Sequence, residues 1–226
     1  MEIISKQSFK TIIDNAEVLL AVQGKPRILR TTDNKIIKIF NSKRQWRHSH
    51  KFVHNAKRLT RMGFSTIQTH GRFYCPEDNF IYVTYDYVEG TSAHKYFSQH
   101  DSSILPPLAR FMARLHKQGV YFRGCHPEHL IYLSDDDFLL IDMHDTRFFW
   151  LPLTINMRVK NLMVLFYRRY ARDLLSKADM ETFLSTYCEA AGFSKSTETY
   201  FRAQFEAAAD IKEAAPRTRV REAVVA

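Results

Sequence analysis

The sequence predicts an α+β protein of two lobes: a small lobe built on an antiparallel sheet, then a mainly helical lobe. Three observations carry this expectation. Short strand-like runs separated by turn residues crowd the first third of the chain, and apolar residues at helical spacing dominate from Pro106 onward. Between them, Leu115 to Asp145 passes from a helix end through a tight polar loop into a short hairpin closed by an aspartate. The expected divisions are residues 1–88 for the small lobe, 89–213 for the helical lobe and 214–226 for a disordered tail without periodicity.

Glu17 to Val22, Arg27 to Arg30 and Lys35 to Phe40 read as strands, joined by turns at Gly24-Lys25-Pro26 and Asp33-Asn34. A helix is expected over Gln45 to Met62, because Phe52, Val53, Ala56, Leu59 and Met62 share one face and Gly63 can end it. Phe73 to Cys75 and Phe80 to Tyr87 read as two further strands around the turn Pro76-Glu77-Asp78-Asn79. Val88-Glu89-Gly90 is the expected hinge. Leu108, Phe111, Met112 and Leu115 then mark a helix with Pro106 and Pro107 at its start and Gly119 after its end. Further helices are expected over Arg158 to Leu175, Asp179 to Ala191 and Thr197 to Ala209.

Composition narrows the class. A chain of 226 residues, 45% hydrophobic and 25% charged, can bury a sizeable core and is unlike collagenous, disordered or disulfide-stapled chains. No apolar run approaches the about 18 residues that cross a bilayer, and Met1 to Phe9 carries no signal-like apolar core, so a cytoplasmic location is expected. Cys75, Cys125 and Cys188 are odd in number and lack metal-type spacing, which suits reduced thiols. The net charge of +9 is concentrated between Asn34 and Pro76, where ten basic residues meet no Asp or Glu. Such a stretch suits a polyanion, whether anionic lipid, phosphorylated saccharide or nucleic acid; it equally suits a solvated helix face. Nucleic acid is disfavoured, since no helix-turn-helix, zinc-finger or RNP signature accompanies the charge.

The order of helix, polar loop, hairpin and aspartate resembles the phosphoryl-transfer site of protein-kinase-like folds. Asp142 follows the apolar run Phe138 to Ile141, so its carboxylate needs a partner, either a metal ion or its own backbone in a turn. His129 stands five residues after Gly124, the separation of base and second metal ligand in H-R-D-x-x-x-x-N; the alternative is a loop histidine bonded to backbone. His126 is read chiefly as a loop-stabilising histidine, and alternatively as a general base near its unperturbed pKa of about 6.5. Lys38, in Lys35-Ile36-Ile37-Lys38-Ile39-Phe40, resembles the strand lysine of V-A-I-K that pairs nucleotide phosphates, though an alternating strand also points lysines at solvent. Gly24 is the sole glycine available to a nucleotide loop.

Taken together, Gly119 to Asp145 resembles the bacterial lipopolysaccharide core kinases of the Kdo/heptose kinase type. Their loops run H-R-D-C-x-x-x-H and their metal strand ends in L-I-D-x-H. Cys125, His129 and Leu140-Ile141-Asp142-Met143-His144 match that pattern, with Lys38 and the Val88-Glu89-Gly90 hinge matching more loosely. The resemblance implies a two-lobed protein-kinase-like fold and an ATP-dependent kinase acting on a sugar of the lipopolysaccharide core or a related envelope saccharide. It implies Mg or Mn held by Asp142 and His129, and nucleotide contacts from Lys38, Gly24, Val88 and Glu89. The acceptor would be an anionic saccharide or lipid-linked sugar at the inner face of the cytoplasmic membrane, faced by Asp145 or Arg147. Two departures keep an alternative open: Phe122-Arg123-Gly124 replaces H-R-D, and the basic stretch offers no helix Glu for Lys38. A pseudokinase of the same fold, binding or scaffolding in envelope assembly, is that alternative.

Overall fold

The computed structural model describes residues 1–134, 136–167 and 173–214. Its contacts divide these into a unit ending at Glu89 and a second unit starting at Gly90. The expected tail beyond Ala214 lies outside the described residues.

The first unit is a six-stranded sheet in the order β1-β5-β6-β4-β3-β2, formed by Glu2–Ile3 (β1), Glu17–Val22 (β2), Lys25–Arg30 (β3), Lys35–Phe40 (β4), Thr69–Cys75 (β5) and Phe80–Asp86 (β6). All its pairings are antiparallel except β1 with β5. Gln23 and Gly24, with φ of 53° and 71°, close β2 onto β3 through two positive-φ residues, the turn whose twist matches the flanking strands.

Alternation along β4 gives the sheet two buried faces. Ile37 joins Leu29, Cys75, Phe80 and Tyr82 around Phe9, which comes from the short helix Lys6–Ile12 (α1) capped by the Ser5 hydroxyl. On the opposite face, Phe40 and Tyr85 lie 5.7 and 5.8 Å, ring to ring, from Phe52 of helix Gln45–Arg61 (α2). Gln45, Ser49, Phe52, Ala56 and Leu59 form the buried stripe of α2, while Arg47, His50, His54, Lys57 and Arg61 are exposed on the other side.

The second unit begins with Thr91–Ser92 (β7) and Ala93–Ser98 (α3). Leu105–Lys117 (α4) follows, with prolines in its first turn where no intrahelical N–H is required. Val120–Tyr121 (β8), Leu130–Ser134 (β9), Asp137–Leu140 (β10) and Arg147–Phe148 (β11) make two small sheets, β10-β9-β7 and β11-β8. Ile155–Tyr167 (α5), Lys177–Ala191 (α6) and Lys195–Ala214 (α7) complete it, α4 packing on α6 and α5 on α7.

The expected helix over Arg158 to Leu175 needs correction. It starts earlier, at Ile155, and Leu175 lies outside it, because Ser176 caps α6 in a reciprocal capping box with Asp179. The expected strand from Phe73 begins at Thr69, and β1, α1 and α3 were not anticipated. Cys75, Cys125 and Cys188 are buried free thiols, one in the first unit and two in the second.

Candidate functional site

The polar loop is built on a buried network in the second unit. His116 is fully buried on α4, and burial, with the Arg158 charge adding, drives its pKa down to about 3 against the hydrogen bond to Asn161. The neutral ring fits one proton assignment. Asn161 Oδ1 can only accept, so His116 Nε2–H donates to it over 3.2 Å, and His116 Nδ1 accepts from the Tyr187 hydroxyl at 2.7 Å. Arg158 donates to that hydroxyl at 3.3 Å and to the Leu153 carbonyl at 2.8 Å. Asn161 Nδ2 then donates to the Phe122 carbonyl at 2.7 Å, and this last bond anchors the loop. Sequence reading singled out none of these four side chains. The one available signal was a set of polar residues inside apolar helical stripes.

From Phe122 the chain turns tightly. Cys125 N–H donates to the Phe122 carbonyl at 3.0 Å, and the Gly124 carbonyl accepts from His126 N–H at 2.7 Å. His126 is 6% exposed, and its Nδ1 lies 3.3 Å from both the Glu128 amide and Glu128 Oε2. A bare Nδ1 accepts from the amide and caps the turn Pro127–His129; a protonated Nδ1 donates to the carboxylate. The hydrogen bond from His126, with the charges of His126, His94 and His129, holds the Glu128 carboxyl down to about 2 despite its partial burial. His126 Nε2 is buried and has no hydrogen-bond partner among the described residues.

His129 and Asp142 meet at the base of the hairpin. The register Leu130↔Leu140, extended by Ile141 N–H donating to the His129 carbonyl at 3.0 Å, places the loop end beside the strand end. His129 Nδ1 lies 2.7 Å from the Gly124 carbonyl, which cannot donate, so Nδ1 carries the proton. In the neutral ring Nε2 therefore presents its lone pair, 4.0 Å from Asp142 Oδ2. Asp142 sits in the left-handed region at φ 59°, ψ 47°, a conformation costing an L-residue about 1 kcal/mol but tolerated best by Asn and Asp. Its other oxygen, Oδ1, accepts from His144 Nδ1 at 2.7 Å, and His144 Nε2 lies 3.6 Å from Asp145 Oδ2.

This arrangement fits a divalent cation. The lone pair of His129 Nε2 and the carboxylate oxygen Asp142 Oδ2, 4.0 Å apart, are the two donors that would hold it. The second ring nitrogen is tied to a backbone carbonyl, which is how metal-ligating imidazoles are oriented. No group of three or more His, Cys, Asp or Glu suited to a metal occurs among the described residues. His129 and Asp142 could hold a divalent cation between them, the carboxylate being the donor that hard cations such as Mg²⁺ prefer.

The nucleotide candidates lie in the first unit. Lys38 shares the α2-facing side of β4 with Ile36 and Phe40, and its ammonium lies 5.0 Å from the Phe52 ring centroid. Gly24 lies in the two-residue turn, with open space around it. Val88 is half-buried and Glu89 exposed, both beyond the end of β6.

Residues 86–187 match the model described as lipopolysaccharide kinase (Kdo/WaaP) family. No curated protein sequence matches the chain. Among solved structures, a crystal structure of monomeric WbdD is similar with a TM-score of 0.50 at 14% identity, covering 79% of this chain and 44% of that one. A structure titled as the bifunctional kinase-methyltransferase WbdD is similar with a TM-score of 0.48 at 15% identity, covering 84% and 43%. The chain thus spans less than half the length of these neighbours, and the likeness speaks to the fold alone. The fold is the α+β arrangement expected, an antiparallel-rich sheet unit and a mainly helical unit, and it is similar to that of WbdD. The segment that builds the loop, the hairpin and Asp142 lies within the residues similar to the lipopolysaccharide kinase (Kdo/WaaP) family.

Proposed function

We propose that this protein is an ATP-dependent kinase that phosphorylates a sugar of the lipopolysaccharide core or a related envelope saccharide. The observation that carries the reading is the pairing of His129 and Asp142, with Nε2 and Oδ2 4.0 Å apart and each side chain oriented by a further hydrogen bond. A divalent cation held there, Mg²⁺ or Mn²⁺, would neutralise charge on the phosphates of ATP.

The chain's own residues would do the rest. His144 keeps the Asp142 carboxylate aimed, the Gly124 carbonyl keeps the His129 tautomer, and His126 braces the loop from within. Lys38 would contact the phosphates, with Gly24, Val88 and Glu89 lining the nucleotide. Asp145 and Arg147, both exposed, would face the acceptor. The exposed basic side of α2 suits an anionic saccharide or the headgroups of a membrane. No described helix is long and apolar enough to cross a bilayer. We place the protein in the cytoplasm, acting at the inner face of the cytoplasmic membrane.

A pseudokinase in the same fold is the second reading, and one observation favours it: Gly124 stands at the position of the base. The test is a thermal-shift titration with ATP, with and without Mg²⁺ or Mn²⁺, beside phosphate transfer to core saccharides. At hundredfold excess over Kd, ATP with metal stabilises by about 2.7 kcal/mol, or about 5–10 °C for a chain of this size. Asp142→Asn should abolish the metal-dependent part, since it removes the charge and keeps the shape. Absence of any shift with either metal, or a full shift in Asp142→Asn, overturns the cation assignment. A shift without transfer to any acceptor favours the pseudokinase.

A further inference from the structure

Trp150 is 100% exposed, Leu151 75% and Phe149 39%, three consecutive large apolar side chains presented to water. Single exposed apolar residues need no explanation, but a contiguous patch with a fully exposed indole marks an interaction surface. The backbone beneath is fixed. Phe149 N–H donates to the Gly119 carbonyl at 2.9 Å, and Leu153 N–H donates to the His116 carbonyl at 2.9 Å. Leu153 is buried, and its own carbonyl accepts from Arg158 Nε. Gly119, at φ +72°, is pressed so closely beneath the segment that a Cβ there would collide with the carbonyl oxygens of Phe149 and Leu151. The indole therefore projects from a backbone clamped on both sides to the end of α4.

Charge identifies what it meets. Thr146 to Arg172 contains no Asp or Glu, and exposed Arg147 lies three residues before Trp150. Lys117, two residues before the clamping Gly119, is exposed, as is Arg123; Arg147 pairs in register with Tyr121. An apolar tip of Trp and Leu on a segment whose exposed charges, Asp145 apart, are cations suits the interface of an anionic bilayer, where indole rings settle at headgroup depth and basic residues meet anionic lipid.

We propose that Phe149-Trp150-Leu151 is a membrane-interface wedge that docks the helical unit on an anionic lipid bilayer. This surface lies outside the cation site and stands or falls separately from the phosphotransfer reading. The test is flotation with vesicles of phosphatidylcholine alone and of phosphatidylcholine mixed with phosphatidylglycerol. Wild type should float with the mixed vesicles and bind the neutral ones more weakly, and Trp150→Ala/Leu151→Ser should lose about tenfold or more in partitioning. In Trp46→Phe protein, where Trp150 is the sole tryptophan, fluorescence should be quenched by lipids with brominated acyl chains.

Partitioning of the double variant within about twofold of wild type overturns the wedge, as does absence of quenching. Self-association of the wild type that the double variant loses, without vesicle binding, also overturns it and assigns the patch to a second copy. The ATP-dependent thermal shift is read on the same preparations. An intact shift without vesicle binding overturns the wedge, and with it the membrane location, while the phosphotransfer reading stands; vesicle binding with no shift overturns the kinase reading and leaves the wedge.

Discussion

On the proposed kinase reading, Gly124 stands where the loop would carry its base. It is absent from the positive-φ glycines, so its backbone accepts a side chain, and an added Cβ would lie 3.1 Å from the Asp142 carbonyl and 3.6 Å from the Phe122 ring. That contact needs a shift of a few tenths of an ångström. Gly124→Asp should therefore fold at a cost of about 1 kcal/mol and raise phosphate transfer by tenfold or more, since a positioned base contributes about 10²–10⁴ in such reactions. Transfer within twofold of wild type, in a variant that keeps its ATP-dependent shift, would show that the missing carboxylate is not what limits the rate.

At this scale the meeting of His129 with Asp142 was legible in the sequence, because the two flank one short hairpin, and His144 lies two residues from Asp142. The sequence did not show that His116 meets Asn161 and Tyr187, partners 45 and 71 residues away. Such pairings belong to tertiary packing and leave no local pattern.

Among the elements, α2 carries the clearest physical consequence. Arg47, Lys57 and Arg61 are exposed on the side away from Phe52, whereas Lys51 and Arg58 are half-buried. Reversing Arg47, Lys57 and Arg61 to Glu should lower retention on anionic vesicles by about tenfold or more at low salt, each basic residue near such a surface being worth about 1 kcal/mol. The difference should shrink as salt rises, because exposed charges are screened beyond about 8 Å at physiological ionic strength. Retention unchanged by the reversal returns the helix to a solvated face.

Strands β2 to β4, and helices α2 and α4, were legible because alternation or helical spacing and turn residues agree in each. The helix α1 was not. It has seven residues and buries only Phe9, too little periodicity to register, yet that one ring joins both sheet and helix in the core.

For the whole molecule, the buried network sets a dependence on acid. His116 has its pKa lowered in the folded state, to about 3 from an ordinary 6.5. Between those values the unfolded chain binds a proton that the folded one refuses, so the stabilisation is present above about pH 6.5 and is lost as pH falls toward 3. The unfolding free energy from urea titrations should decline over that window with a slope approaching about 1.4 kcal/mol per pH unit from this group. His116→Gln should be less stable near neutrality and should lose that component of the slope; an unchanged slope would place the acid sensitivity elsewhere. Glu128, with its carboxyl held down to about 2, contributes stability above about pH 4.5 that is lost as pH falls toward 2.

The three buried thiols have a bearing of a different kind. Burial raises the pKa of each, that of Cys188 to about 11, so the folded chain offers a thiol reagent almost no thiolate. Cys75 ends β5 in the sheet, Cys125 lies under the polar loop, and Cys188 sits on α6 against the helical core. Modification at any one requires its own surroundings to open. Without any introduced label, the chain thus carries three independent reporters of local opening, one for the sheet, one for the loop and one for the helices.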